Sequence, residues 1–523
     1  MNALSHMKLE VQSAVCLMHN SWRGLAWRFA GLAALVTLLQ ACAGLPPLAH
    51  RHEALTPQCS SWWQSLERAI DEAGVRDAEA AVIEGFAGLR TTRMLSALRS
   101  QAASSQPAFE AWLERAAQED RLASTAEIRN LPDSAIAGLR VGSRADALER
   151  TDQCRQQGLE ALRMQGALRE RLLERAELAS RYSNWRRAVG LYPLTRWPFF
   201  AGVQRWQDQH LSAMKAWQLN TPPLALWRAP FSLDPGPMPT ARDALGLPQW
   251  SEAQAQAWLA WHAPDFAIET RGSSDRFGRL LWSSSALNAS ARQAPEIDAA
   301  RPVVYQRLTA TRIDGRWLPQ LVYTLWFSER PASGSWDLLA GKLDGLVLRL
   351  TLDERGDVLM LDTMHACGCY HLFFAGRHLK PKPDAPLAQE WLFAPADLPA
   401  LQPGQTLVVQ VSSSDHQVMG LAVAERSRSV RNFEGAWTYD MDSEQALRSL
   451  PVIGANADSP RRSLYGPDGL VPGTQRGERW LFWPMGIASA GAMRQWGHHA
   501  TAFVGQRHFD DPDLLDRRFL WVR

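Results

Sequence analysis

The densest group of reactive side chains in the sequence is His365-Ala-Cys-Gly-Cys-Tyr-His371, which puts two imidazoles and two thiols within seven residues. Zinc or a copper ion accepts such a donor set. The spacing opposes a metal site if the segment is extended. On a strand, His365, Cys367, Cys369 and His371 share one face at intervals of about 6.6 Å, so the outer two stand about 20 Å apart. Bonds to zinc are only roughly 2 to 2.3 Å long. Gly368 offers a sharp turn that would bring two or three of the four together. Three outcomes stay open: a structural or catalytic metal site completed by a distant histidine, a strained and readily reduced Cys367–Cys369 disulfide, or a strand end with reduced, buried thiols.

A second cluster lies between Gly491 and Pro512, with His498, His499, His508, Asp510 and Asp511 beside Arg494 and Arg507. Adjacent His498 and His499 point opposite ways on a strand, so at most one serves a given site. His499 and His508 are the candidates for a remote ligand to the 365–371 cluster; a solvated surface loop is the alternative. Asp510 with Asp511, and Asp440 with Asp442, have the residue types for acid–base work on a glycan, at spacings that also suit solvated turns. No Gly-x-Ser-x-Gly elbow, Walker-type loop, His-Glu-x-x-His or Gly-x-Gly-x-x-Gly occurs. No complete catalytic constellation is therefore legible, and the sequence leaves open whether the chain is an enzyme. The 23 Trp, among them Trp62-Trp63, Trp258 with Trp261 and Trp480 with Trp483, read first as core and second as sugar-stacking or membrane-interface residues.

The elements that must position these residues predict an α+β protein. From Ser60 to about Leu219, apolar residues recur at helical spacing, with breaks at Pro132-Asp133 and Gly142-Ser143 and one long helix over Ala161–Ser180. Such a pattern predicts an N-terminal antiparallel helical domain of four to six helices, 59–220. Prolines crowd Asn220–Pro248, where neither helix nor central strand should persist, and a short helix Ser251–Trp261 with Ser251 as N-cap follows. Residues 221–300 thus read as a junction. Beyond Arg301 the period becomes two. Val303–Thr311 and Trp317–Phe327 around Asp314-Gly315, Gly345–Leu352 and Val358–Met364 around Asp353–Asp357, and Leu407–Val411 with Gln417–Val423 predict three hairpins. They predict a larger, mostly antiparallel β-rich domain, 301–523, whose sheet buries one face.

At the N-terminus, Arg23 and Arg28 precede the apolar run Phe29–Leu39, which is too short to span a bilayer and suits a secretory signal. Leu39-Gln-Ala-Cys42 resembles the lipobox of bacterial lipoproteins. The resemblance implies thioether lipidation of Cys42 with palmitate among its acyl chains, loss of the 1–41 signal peptide, and, through Ala43, sorting to the outer membrane. Residues 42–58 read as a tether, and Met18 would open a more ordinary signal than Met1. In an oxidising periplasm, Cys59, Cys154, Cys367 and Cys369 have three possible pairings, of which Cys59 with Cys154 is the economical one.

The 56 Lys+Arg nearly cancel the 54 Asp+Glu to leave +2, so no field draws the chain to nucleic acid. Lys occurs only five times, at 8, 215, 342, 380 and 382. GC-rich codons account for both the arginine and the tryptophan excess. The segments Asp362–Phe374, Leu318–Phe327 and Gly491–Phe503 resemble a family of uncharacterised proteobacterial lipoproteins, a resemblance that implies location and no activity. The expectation is a lipid-anchored protein on the periplasmic face of the outer membrane. It would act as a binding or structural envelope module with a protein or envelope-polymer partner, or alternatively as a metal-binding protein or metal-dependent enzyme built on His365, Cys367, Cys369 and His371.

Overall fold

The structure, a computed structural model, describes residues 53–283, 294–383, 389–390, 392–426, 436–453 and 460–522. The signal peptide, Met18, Cys42 and most of the tether lie outside the described residues. Glu53–Arg523 form one compact unit.

The main helices are α1 (Pro57–Ala73), α2 (Gln106–Asn130), α3 (Arg144–Met164), α4 (Gly166–Arg175), α5 (Asn184–Val189), α6 (Tyr192–Leu219) and α7 (Glu252–Trp261). Local chemistry sets their ends. Ser105 and Ser143 accept the backbone N–H three residues on, and Ser251 forms a full capping box with Gln254. The anticipated breaks after Asn130 and before Arg144 are present. The single helix expected over Ala161–Ser180 is instead two. Gln165 is extended, with φ −120° and ψ 100°, and α4 restarts at Gly166 so that Leu168, Leu172 and Leu173 meet the α2 core. A disulfide joins Cys59 in α1 to Cys154 in α3, the economical pairing.

Strands are β1 (Ala225–Arg228), β2 (Asp265–Ile268), β3 (Val303–Ile313), β4 (Arg316–Arg330), β5 (Gly341–Leu352), β6 (Val358–His365), β7 (Leu372–Ala375), β8 (Gln405–Val411), β9 (Val418–Glu425), β10 (Ala436–Thr438) and β11 (Asp440–Ser443). Two sheets dominate, a mostly antiparallel one ordered β7-β6-β5-β4-β3-β11 and a mixed one ordered β9-β8-β2-β1-β10, in which β8 with β2 and β1 with β10 run parallel. All three predicted hairpins form, and Asp314 and Gly315 turn the first with φ of +50° and +73°. One strand does persist in the proline-dense stretch. β1 occupies the proline-free window between Pro223 and Pro230 and is bonded on both sides, to β2 and β10.

The larger sheet buries both faces, where the sequence predicted one. Leu346, Leu348, Leu350 and Leu352 of β5 pack with Phe266, Ile268, Val409 and Val411 of the second sheet. On the opposite face Val347 and Met364 meet Met493 and Phe509. The polar positions that made β5 look half-solvated are paired instead: buried Arg349 holds buried Asp362 through Nε to Oδ1 at 3.0 Å and Nη2 to Oδ2 at 2.7 Å. No helix among the described residues is long and apolar enough to cross a membrane.

Candidate functional site

The β6–β7 hairpin carries the Cys-Gly-Cys segment. Thr363 pairs with Leu372, so residues 364–371 form its end. The Gly368 N–H donates to the His365 carbonyl at 2.7 Å, and the His365 N–H to the Cys369 carbonyl at 2.9 Å. Gly368 has φ +92°, and a Cβ on it would stand 2.6 Å from the Ala500 carbonyl oxygen. Glycine is therefore required twice over, by conformation and by contact. The turn replaces the 20 Å spread of an extended strand and brings the Cys367 and Cys369 side chains within hydrogen-bond reach. Both cysteines are free. The Cys369 thiol, as donor, holds Cys367 below the ordinary thiol range; its own value is pushed well up by the same contact and by burial.

The second cluster folds onto this turn. Arg494 donates from its backbone N–H to the Ala366 carbonyl at 2.9 Å and from Nε to the Cys367 carbonyl at 3.0 Å. Its Nη2 reaches the Ala488 and Ser489 carbonyls at 2.6 and 2.7 Å. His499 Nε2 lies 3.1 Å from the Ala366 carbonyl.

Beside the turn is a cavity of about 470 Å³, walled by residues 367–371 and 500–503, by Leu392 and Phe393, and by Phe199, Gly202, Val203 and Trp206 of α6. The α6 residues recur at helical spacing on one face. Trp206 stands 5.0 Å from the Tyr370 ring and 5.6 Å from Phe393. The ionisable groups on the wall are Cys367, Cys369, Tyr370, His371, Glu390, Glu478 and Arg507. Burial raises Glu478 to about 6 against the pull of Arg476 and Arg330. Glu390, also raised by burial, accepts the Phe503 and Val504 N–H groups at 2.7 and 2.9 Å. His371 is lowered to about 4 by burial, although its bond to Asp362 opposes that. With Nε2 2.8 Å from Asp362 and the ring neutral near pH 7, Nδ1 is left as an acceptor with no partner among the described residues.

The other predicted residues go to separate partners. His365, buried edge-on to Tyr370, stands 3.5 Å from Asp344, a buried carboxylate that Arg476 at 3.0 Å and His416 at 2.8 Å also contact. Burial alone would raise Asp344, but the charges of His365 and Arg476 hold it well below the usual carboxylate range. His508 faces Asp511 at 3.3 Å, and His498 the Ala78 carbonyl at 2.6 Å. Thus His365, Cys367, Cys369, His371, His499 and His508 do not assemble as zinc or copper ligands. Among the described residues no three His, Cys, Asp or Glu side chains gather to hold a metal ion.

The structure thus joins the two clusters through backbone bonds around a cavity, and the thiols meet each other but not the imidazoles. Glu478, Trp206, Asp344 and Arg476 were missed, and only the periodicity of Phe199, Val203 and Trp206 could have signalled the cavity wall. No family model, curated protein or solved structure matches the chain.

Proposed function

We propose that the protein is a lipid-anchored binding module on the periplasmic face of the outer membrane, attached through Cys42, that takes an elongated apolar ligand into the cavity beside Cys367. The observation that carries this reading is the cavity itself, about 470 Å³ with aromatic and aliphatic walls and a few polar groups.

A second feature fits the same reading. The outer surface of α5 and the start of α6 exposes Trp185, Val189, Leu191, Leu194 and Trp197, and nearby Trp480 and Leu481 are also exposed. Trp185, Trp197 and Trp480 each have an arginine over the ring, Arg186 at 5.5 Å, Arg196 at 5.2 Å and Arg479 at 5.0 Å. No Asp or Glu occurs from Asn184 to Gln207. Exposed tryptophan with arginine and no acid suits the interface of an anionic bilayer. Leu481 also lines the cavity, so ligand exchange would take place at that surface. In this reading the helical portion, 59–220, meets the membrane and the β-rich portion, 301–523, forms the cavity floor. A protein or envelope-polymer partner would use the remaining surface.

The test fills the cavity. Gly202 lines it, and a Cβ added there meets nothing within 4 Å, so the side chain of Gly202→Leu can start into ligand space. Purified protein should bind the apolar fluorophore N-phenyl-1-naphthylamine and release acyl lipid on solvent extraction, and G202L should weaken fluorophore binding by roughly tenfold. Equal binding by a folded G202L protein would rule the cavity out as the binding site.

A further inference from the structure

We propose that Cys367 and Cys369 are a redox pair that exchanges with a small apolar disulfide entering the cavity, cycling between a dithiol and an internal disulfide. Three geometric observations support it. Both cysteines line the cavity and their side chains are in contact. The turn that carries them is fixed from both sides, by Gly345 O accepting the Ala366 N–H at 2.8 Å and by Arg494 holding the Ala366 and Cys367 carbonyls. Its backbone is in the left-handed region at Gly368 and again at Tyr370, φ +56°, a conformation that persists only where its surroundings enforce it. A turn serving only to reverse the chain needs neither two thiols nor a cavity against them.

The pair is reduced in a chain whose other two described cysteines are bridged. The Glu478 carboxyl, on the same wall, has a charge felt by both thiols. Titrating near 6, it is a base at neutral pH.

Cys367 gives its proton to Glu478, and its thiolate attacks one sulfur of R–S–S–R. The Cys367–S–R bond forms, the R–S–S–R bond breaks and RS⁻ leaves. Cys369, deprotonated in turn, attacks the Cys367 sulfur, forming the internal disulfide and expelling the second RS⁻. The two thiol protons pass to the two leaving thiolates, so two RSH and one protein disulfide result. Two electrons have moved from the pair to the substrate.

The full-length protein in detergent, reduced and desalted, is treated with 4,4′-dithiodipyridine, a small neutral aromatic disulfide. Compared with the Cys367→Ser/Cys369→Ser double variant, the native protein should release about two more equivalents of thiopyridone, and its 367–369 peptide should lose two hydrogens. Cys369→Ser should release about one equivalent and keep a thiopyridyl group on Cys367. Adducts on both cysteines of the native protein, or reaction only after denaturation, would overturn the proposal. The native protein alone decides between these outcomes, so a variant that misfolds leaves the test intact. An apolar ligand bound above an inert pair would reject the redox role alone, whereas an active pair in a cavity that binds no lipid would reject the ligand reading alone.

Discussion

Three of the histidines that drew attention in the sequence, His371, His498 and His499, are buried bases kept neutral by their surroundings. Burial, the largest cause, lowers His371 to about 4, His498 to about 4 and His499 to about 3. Unfolded imidazoles titrate near 6.5. Between that value and the folded ones the unfolded chain binds more protons, so stability is complete above pH 6.5 and falls as pH drops toward 4. Glu478 opposes this more weakly, since its folded value of about 6 lies above the unfolded one and adds stability as pH falls through that window. Thermal unfolding at pH 5 should therefore show a stability loss on the order of 5 kcal/mol relative to pH 7.5. An unchanged or higher melting temperature at pH 5 would contradict these protonation states. At this scale the sequence showed which residue types lay close together along the chain. Which of them touch depends on partners far away in sequence, such as Ala78 for His498 and Ala366 for His499.

Among the elements, the β6–β7 turn and helix α6 make opposite demands on glycine. Gly368→Ala places a Cβ against the Ala500 carbonyl at positive φ, and should cost about 2 kcal/mol and slow thiopyridone release from the cysteine pair. Gly202→Ala meets no atom within 4 Å and, being inside a helix, should raise stability by about 0.5 to 1 kcal/mol. Melting curves of the two variants must move in opposite directions; a shared sign would mean that one of the two sites is misread. The hairpins were legible because turn chemistry is local: Asp314-Gly315 specifies its own reversal. Burial of the larger sheet on both faces was not, because Arg349 and Asp362 cancel each other's charge in the interior and leave the alternating pattern of an exposed strand. The break at Gln165 was hidden for a related reason, since Leu, Glu and Arg fit a continuous helix as well as two.

At the scale of the molecule, buried ion pairs tie the helical portion to the β-rich one. Arg448 donates to both oxygens of Asp77 at 2.7 and 2.8 Å, and Arg307 contacts Glu79 as well as Glu444 at 2.9 Å. Such pairs contribute more to fixing one arrangement than to net stability. The exposed tryptophans are a separate, outward-facing feature. Replacing Trp185, Trp197 and Trp480 by Ser in protein lacking the lipid should weaken binding to vesicles of phosphatidylethanolamine and phosphatidylglycerol by about tenfold or more, measured by flotation, with melting temperature unchanged. Equal flotation would remove the membrane-facing role of this surface and leave the cavity untouched. The Cys59–Cys154 bridge has a consequence for how the chain matures. It closes over 95 residues of sequence separation, worth about 4 to 5 kcal/mol in the chain-entropy picture. If the chain is exported to the periplasm N-terminus first, as the proposed location would require, Cys59 and Cys154 would meet the oxidising compartment before Cys367 and Cys369. That order would favour the bridge and leave the later pair as two thiols.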